Sequence, residues 1–335
     1  MRPYMNLKNL FLPAFLLLAT AGFSQTIAEL KLDKQHSILN DKVFLQFPAG
    51  AQNIARQTDI MAADPNINKE TRIMMDIGEQ RLVFFSRELY VTSNDKLLDA
   101  VSRENKEPTK VEVLTKQDSL LSVLVTPATL DSTQNAILIN ELYVRTPDKT
   151  VFVIGAYINP EAYPNKDEFQ KLSKRIFSSL SKGNRKLNYK ARTEVSPIFE
   201  GNKKFSIQLP EGYVVTKDQK YDFEVLKFQK IQDIADTNWT SLTIYTGNHP
   251  SYFYGEYNFN EDNAVISKET FLNKPVSWLN FSNDAQKLYL KEQQIPADQI
   301  ENGLIVHIAM SGNNPQAIKE LTKIVENIKL VDTSK

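Results

Sequence analysis

Proton transfer near neutral pH would fall to three histidines, His36, His249 and His307. They lie far apart along the chain. His307 sits between Val306 and Ile308 in an apolar run that reads as a strand, so alternation turns its ring away from those two. The expected role of His307 is structural, and His36, in a loose N-terminal segment, is expected to be inert. Paired carboxylates could cleave a glycosidic bond, and Glu256, Glu261 and Asp262 are the loop candidates. With no cysteine, the chain has no thiol nucleophile, disulfide or cysteine zinc site. It lacks the Gly-x-Ser-x-Gly elbow, the His-Glu-x-x-His zinc helix and a phosphate-binding loop. Asp64-Pro65-Asn66-Ile67-Asn68 opens like a calcium loop. However, Lys69 stands where Gly is needed and Met75 where Glu is needed, so a loop with Asx turns explains it better. No catalytic residue, metal ligand or cofactor is expected.

One segment stands out. Tyr245 to Asn263 carries Tyr245, His249, Tyr252, Phe253, Tyr254, Tyr257 and Phe259, interleaved with Asn248, Asn258, Asn260 and Asn263. Trp239 precedes it. Flat apolar rings beside directed amides suit sugar rings or the hot spots of a protein interface. The candidate ligand- or partner-binding residues are therefore Trp239, Tyr245, His249, Tyr252, Tyr254 and Tyr257. The competing explanation is a loop that packs its own aromatics.

The elements that would position this segment begin after a leader. Arg2 and Lys8 give a positive start, Leu10 to Ala21 is apolar, and Ala19 and Ala21 or Gly22 and Ser24 sit at cleavage spacing. The pattern over residues 1–24 is that of a secretory signal peptide, so an exported protein, periplasmic or extracellular, is expected. The apolar run is too short for a bilayer span, and no later run approaches membrane length. Without the leader, 38 basic face 40 acidic residues, a net charge of −2. Such near-neutrality gives no argument for a nucleic-acid partner.

The remaining length suits two domains, and their starts echo each other. Lys42-Val43-Phe44-Leu45-Gln46-Phe47-Pro48-Ala49-Gly50 matches Lys204-Phe205-Ser206-Ile207-Gln208-Leu209-Pro210-Glu211-Gly212. Each reads as an alternating strand stopped by Pro and turned by Gly. The ends also match. Strands at Val151–Ile154 and Leu304–Ile308 lead through Asn159-Pro160 and Asn314-Pro315 into amphipathic helices. One helix buries Phe169, Leu172, Ile176, Phe177 and Leu180, the other Ile318, Leu321, Ile324, Val325 and Ile328. A hairpin is expected around Thr146-Pro147-Asp148-Lys149, a short helix over 94–103, and a weaker helix over 267–272. The expected fold class is α+β: two tandem, duplicated domains, each an antiparallel sheet with flanking helices. The boundaries are 25–40 for an N-terminal segment, 41–182 for domain 1, 183–200 for a basic linker and 201–332 for domain 2. The linker's Lys182, Arg185, Lys186, Lys190 and Arg192 read as a solvated face.

Leu209-Pro210-Glu211-Gly212-Tyr213, together with a last strand followed by a closing helix, resembles PsbP-like domains. The first half departs from the pattern at Gln52, where an aromatic residue would stand. The resemblance implies antiparallel sheets with helices on their faces and a binding or accessory scaffold without shared catalytic residues. The expected function is a secreted, non-catalytic binding or accessory protein of the bacterial envelope, its partner an envelope protein or glycan. A secreted hydrolase of glycan or peptide, and a small-ligand carrier, are the alternatives.

Overall fold

A computed structural model describes residues 26–54, 71–105, 109–117, 120–219, 222–296 and 304–332. The leader over 1–24 and the Asp64–Asn68 loop lie outside the described residues. The first half runs β1 (Lys34–Ile38), β2 (Val43–Phe47), β3 (Gln52–Asn53), β4 (Arg72–Ile77), β5 (Gln80–Thr92), α1 (Leu97–Glu104), β6 (Thr109–Gln117), β7 (Leu120–Pro127), β8 (Ile137–Arg145), β9 (Thr150–Ile158), α2 (Lys166–Ser178) and β10 (Ser181–Lys182). Next come β11 (Arg192–Pro197), β12 (Lys203–Leu209), β13 (Tyr213–Gln219), β14 (Phe223–Lys230), β15 (Gln232–Asp233) and β16 (Thr240–Gly247). The chain continues through α3 (Phe253–Glu256), β17 (Val265–Phe271), β18 (Lys274–Asn283), β19 (Leu288–Ile295), β20 (Ile305–Gly312), α4 (Pro315–Glu326) and β21 (Lys329–Asp332).

Apart from β15, the strands of each half form one long and one small sheet. The long sheets run β3-β4-β5-β9-β8-β7-β6 and β13-β14-β16-β20-β19-β18-β17. The small ones run β1-β2-β10 and β11-β12-β21. Strand for strand, the two halves share one order. In each, the repeated Lys-to-Gly motif forms the middle strand of the small sheet and alternates buried with part-exposed residues, as in Val43, Leu45 and Phe47. The motif's Gly212 takes φ +98, a left-handed value that favours glycine.

Among the described residues, 52% lie in strands and 17% in helices. That finding corrects the expected α+β class with flanking helices. Each half is a predominantly antiparallel, sandwich-like pairing of a long sheet with a small one, in which a single long helix, α2 or α4, closes the core. Helix α2 buries Phe169, Leu172, Ile176 and Phe177 against Phe47, Phe84 and Ile154. Helix α4 buries Leu321, Ile324 and Val325 against Phe205, Ile244 and Met310. Helical spacing marked both helices correctly, but strands occupy most of the remaining chain. The helix expected over 267–272 is instead edge strand β17, whose backbone pairs with β18 from Val265 opposite Asn280 to Phe271 opposite Lys274. Tertiary pairing overrode a weak helical pattern there.

The segment between the halves is tied down. Gly183 is needed where it stands, because a Cβ there would meet the Asp41 carbonyl oxygen at 1.9 Å. The Arg185 guanidinium donates to the Leu39 carbonyl at 2.7 Å. The Leu187 N–H donates to Asp148 Oδ2 at 3.2 Å, and the Tyr189 hydroxyl to the Asp148 carbonyl at 3.1 Å. Short strand β15 then joins the end of β5 in parallel register, Gln232 opposite Val91. Asp148 therefore links the first half's β8–β9 turn to the chain leading into the second. Burial acts to raise its pKa, but the Thr146 and Thr150 hydroxyls, Lys42 and the Leu187 amide outweigh it and hold the carboxyl below its usual range. A depressed carboxylate stabilises the fold fully above its unfolded value of about 3.9 and loses that contribution as pH falls through its folded value. Asp148→Asn is expected to cost about 1–3 kcal/mol at neutral pH and to flatten the loss of stability below about pH 4, read from urea unfolding at a series of pH values.

Candidate functional site

The aromatic segment leaves the end of β16 and crosses the outer face of the second long sheet. Tyr245 stacks on Phe223 with ring centroids 5.1 Å apart, and its hydroxyl donates to the Asn248 carbonyl. His249 follows, exposed and left-handed at φ +55. Gln294 Nε2 holds the Pro250 carbonyl at 2.9 Å. Tyr252 then leads into the single turn α3, and a 3-10 turn over Glu261–Asn263 hands the chain to β17.

Helix first turns leave orphan N–H groups, and Tyr252 at the N-cap offers no side-chain cap. The sheet supplies the acceptor instead. Phe253 N donates to Glu292 Oε2 at 2.9 Å, and Tyr254 N to Glu292 Oε1 at 2.7 Å. From β20, His307 Nε2 meets Glu292 Oε2 at 2.8 Å. The two side chains are 1% and 0% exposed. Tyr252 and Phe253 cover the imidazole with centroids at 5.4 and 5.5 Å. Both oxygens of Glu292 are thus engaged, and the pair is sealed from solvent. It anchors the segment to the sheet through backbone N–H groups, which is a structural task.

The rings above pack largely on each other and on the sheet. Tyr252 stacks on Tyr254 at 5.2 Å, Tyr254 leans on Phe281 at 5.5 Å, and Phe259 stacks on Phe281 at 5.2 Å. Leu279, Leu290 and Ala309 complete this cluster. Tyr252, Tyr254 and Tyr257 keep part of their surface in solvent. Burial is the first cause that raises the Tyr252 phenol, followed by the negative charges of Glu292 and Glu261. For Tyr254 the hydrogen bond to Glu261 comes first. Glu256, Glu261 and Asp262 are exposed on the segment's outer side.

Of the six candidates, the structure gathers Tyr252, Tyr254 and Tyr257 over the Glu292–His307 pair. It places Tyr245 and His249 beside them, where β16 ends. Trp239 is not brought in: it stands at the opposite end of β16, 37% exposed, with Asn313 Oδ1 accepting its backbone N–H. Sequence reasoning missed Glu292 and Phe281. The signal for Glu292 was Lys291-Glu292, adjacent charges in an apolar strand, which alternation must send to opposite faces. Lys291 indeed turns to the other face, where it meets Glu269 at 2.6 Å and lies over the Trp278 ring.

Among the described residues, no group of three or more His, Cys, Asp or Glu could hold a metal ion, and no helix is long and apolar enough to cross a membrane. No family model matches the chain, and a comparison with curated proteins gave no significant match. Among solved structures, the binding domain of botulinum neurotoxin serotype D/C aligns over 92% of this chain and 100% of its own, at 10% identity and a TM-score of 0.12. A likeness that weak carries no argument about fold or function.

Proposed function

We propose that the chain is an exported, non-catalytic binding or accessory protein of the bacterial envelope, and that the outer face of its second half meets the partner. The observation that carries this reading is the division of labour around Glu292. The buried carboxylate and imidazole are spent beneath the surface holding backbone, while the rings of Tyr252, Tyr254 and Tyr257 reach solvent above them. A partly exposed cluster of tyrosines on a rigid sheet is the kind of surface that anchors recognition. The leader pattern supports export, and the resemblance to PsbP-like domains supports an accessory role. A hydrolase built on His307 and Glu292 would need them open to substrate, whereas both are enclosed.

The carrier reading draws on a separate observation. An apolar depression of about 430 Å³ lies on the first long sheet, lined by Ile54, Met74, Val83, Phe85 and Tyr157. The test that separates the two readings is capture from native envelope by the mature chain. Wild type is expected to retain a stoichiometric partner that a folded Tyr252→Ala, Tyr254→Ala, Tyr257→Ala variant binds at least tenfold more weakly. Equal retention by both proteins would refute the assignment to this face.

A further inference from the structure

We propose that a depression at the far end of the aromatic segment is a subsite for a neutral sugar ring. The inference rests on the binding-protein reading above and names a ligand class for the same face. The depression is open to solvent and holds about 460 Å³, inside the range of roughly 300–1,000 Å³ for small-ligand sites. Four side-chain amides line it, those of Asn258, Asn260, Asn263 and Asn283, together with Phe259 and Phe281. The two phenyl rings are stacked, with 24° between their planes.

A sugar presents hydroxyls that donate and accept at once, and a ring face of C–H groups. A carboxamide likewise donates and accepts, and the partly exposed Phe259 ring can receive the C–H side, while Phe281 is buried. Some of this polar lining is already committed. Asn260 Oδ1 accepts the Asp262 N–H at 3.1 Å, and Asn283 exchanges two bonds with Gln286, each 3.1 Å. Among the described residues, the side-chain amides of Asn258 and Asn263 have no hydrogen-bond partner and stand ready for a ligand. Asn258 also has a local reason to be asparagine, since it takes φ +59 at the end of α3. Asn263 ends its 3-10 turn through its backbone only, leaving the side chain unassigned.

Charge decides between neutral and anionic sugars. Among the described residues, no Lys or Arg lines the depression. Its one carboxylate, Asp284, accepts from the Tyr289 hydroxyl at 2.7 Å and would repel a uronate.

The test uses the full mature protein. Cellotetraose, maltotetraose, mannotetraose and tetra-N-acetylchitotetraose are titrated by calorimetry, with tetragalacturonate as the charged control. At least one neutral tetrasaccharide is expected to bind with a submillimolar Kd, and tetragalacturonate at least tenfold more weakly. The Asn258→Ala, Asn263→Ala double variant, with an unchanged thermal midpoint, is expected to lose at least tenfold in affinity. Should that variant lose its fold, Asn263→Asp alone gives the second reading, expected to weaken the same sugar by a similar factor. No binding of any neutral tetrasaccharide, or equal binding by a folded variant, overturns the inference. Failure here with the tyrosine-dependent partner still captured would leave the binding-protein reading standing, while loss of both would end both.

Discussion

Glu292→Ala should destabilise the second half by about 3 kcal/mol or more, because it leaves three polar groups without their partner at about 1–3 kcal/mol each. The substitution removes the acceptor of the Phe253 and Tyr254 N–H groups and the partner of His307 Nε2 at once. The imidazole has no water to replace it, since it and the carboxylate are 1% and 0% exposed. Glu292→Gln should fall between, because its one oxygen can serve one backbone donor while its amide faces the others. The readout is favourable, as both tryptophans, Trp239 and Trp278, lie in the second half, so their fluorescence during urea unfolding follows this half. Amide hydrogen exchange should show the loosening first over 253–259, where α3 loses its anchor. A Glu292→Ala protein with wild-type stability and unchanged exchange in α3 would contradict the anchoring role.

A loss of comparable size is expected for Lys42→Ala in the first half. Lys42 opens the repeated motif, and its ammonium lies 2.7 Å from both oxygens of Glu88, with each side chain 1% exposed. It also stands 5.5 Å from the centre of the Phe152 ring. Burial is the largest influence on both partners, pushing the Glu88 carboxyl up and the Lys42 ammonium down. Each charge opposes that push on the other. Removing Lys42 alone leaves Glu88 buried without its hydrogen-bonded counter-ion and with only the Arg185 charge to favour it, at a cost of about 3–5 kcal/mol. Replacing both, as Lys42→Met with Glu88→Leu, should be neutral or stabilising by about 1–4 kcal/mol, since neither charge then has to leave water. Circular dichroism is the appropriate probe, because no tryptophan reports on this half. If the double replacement destabilises as much as Lys42→Ala, the pair does more than satisfy itself.

How much of this was legible in the sequence depends on the distance over which each feature is determined. The two motifs at Lys42–Gly50 and Lys204–Gly212 became β2 and β12, in the same place in each small sheet, because alternation and a Pro stop are local properties. The faces of α2 and α4 were readable for the same reason. The balance of helix to strand was not. Residues 267–272 carry no strong period, and it is the pairing with β18 that makes them strand. Likewise, the aromatic density of Tyr245 to Asn263 was plain, but its anchor was not. Phe253 and Glu292 are 39 positions apart, and only the sheet order brings them into contact. Nearness in sequence groups Trp239 with the tyrosines, but the length of β16 separates it from them.

The central claim, that the tyrosine-bearing outer face of the second half meets the partner, is tested most directly by photo-crosslinking. Benzoylphenylalanine placed at Tyr254 in the full chain, illuminated in the native envelope, should yield a discrete adduct. The same group at Lys319, an exposed position on α4, should yield none. Adducts from Lys319 with none from Tyr254 would contradict the account and move the partner to another face.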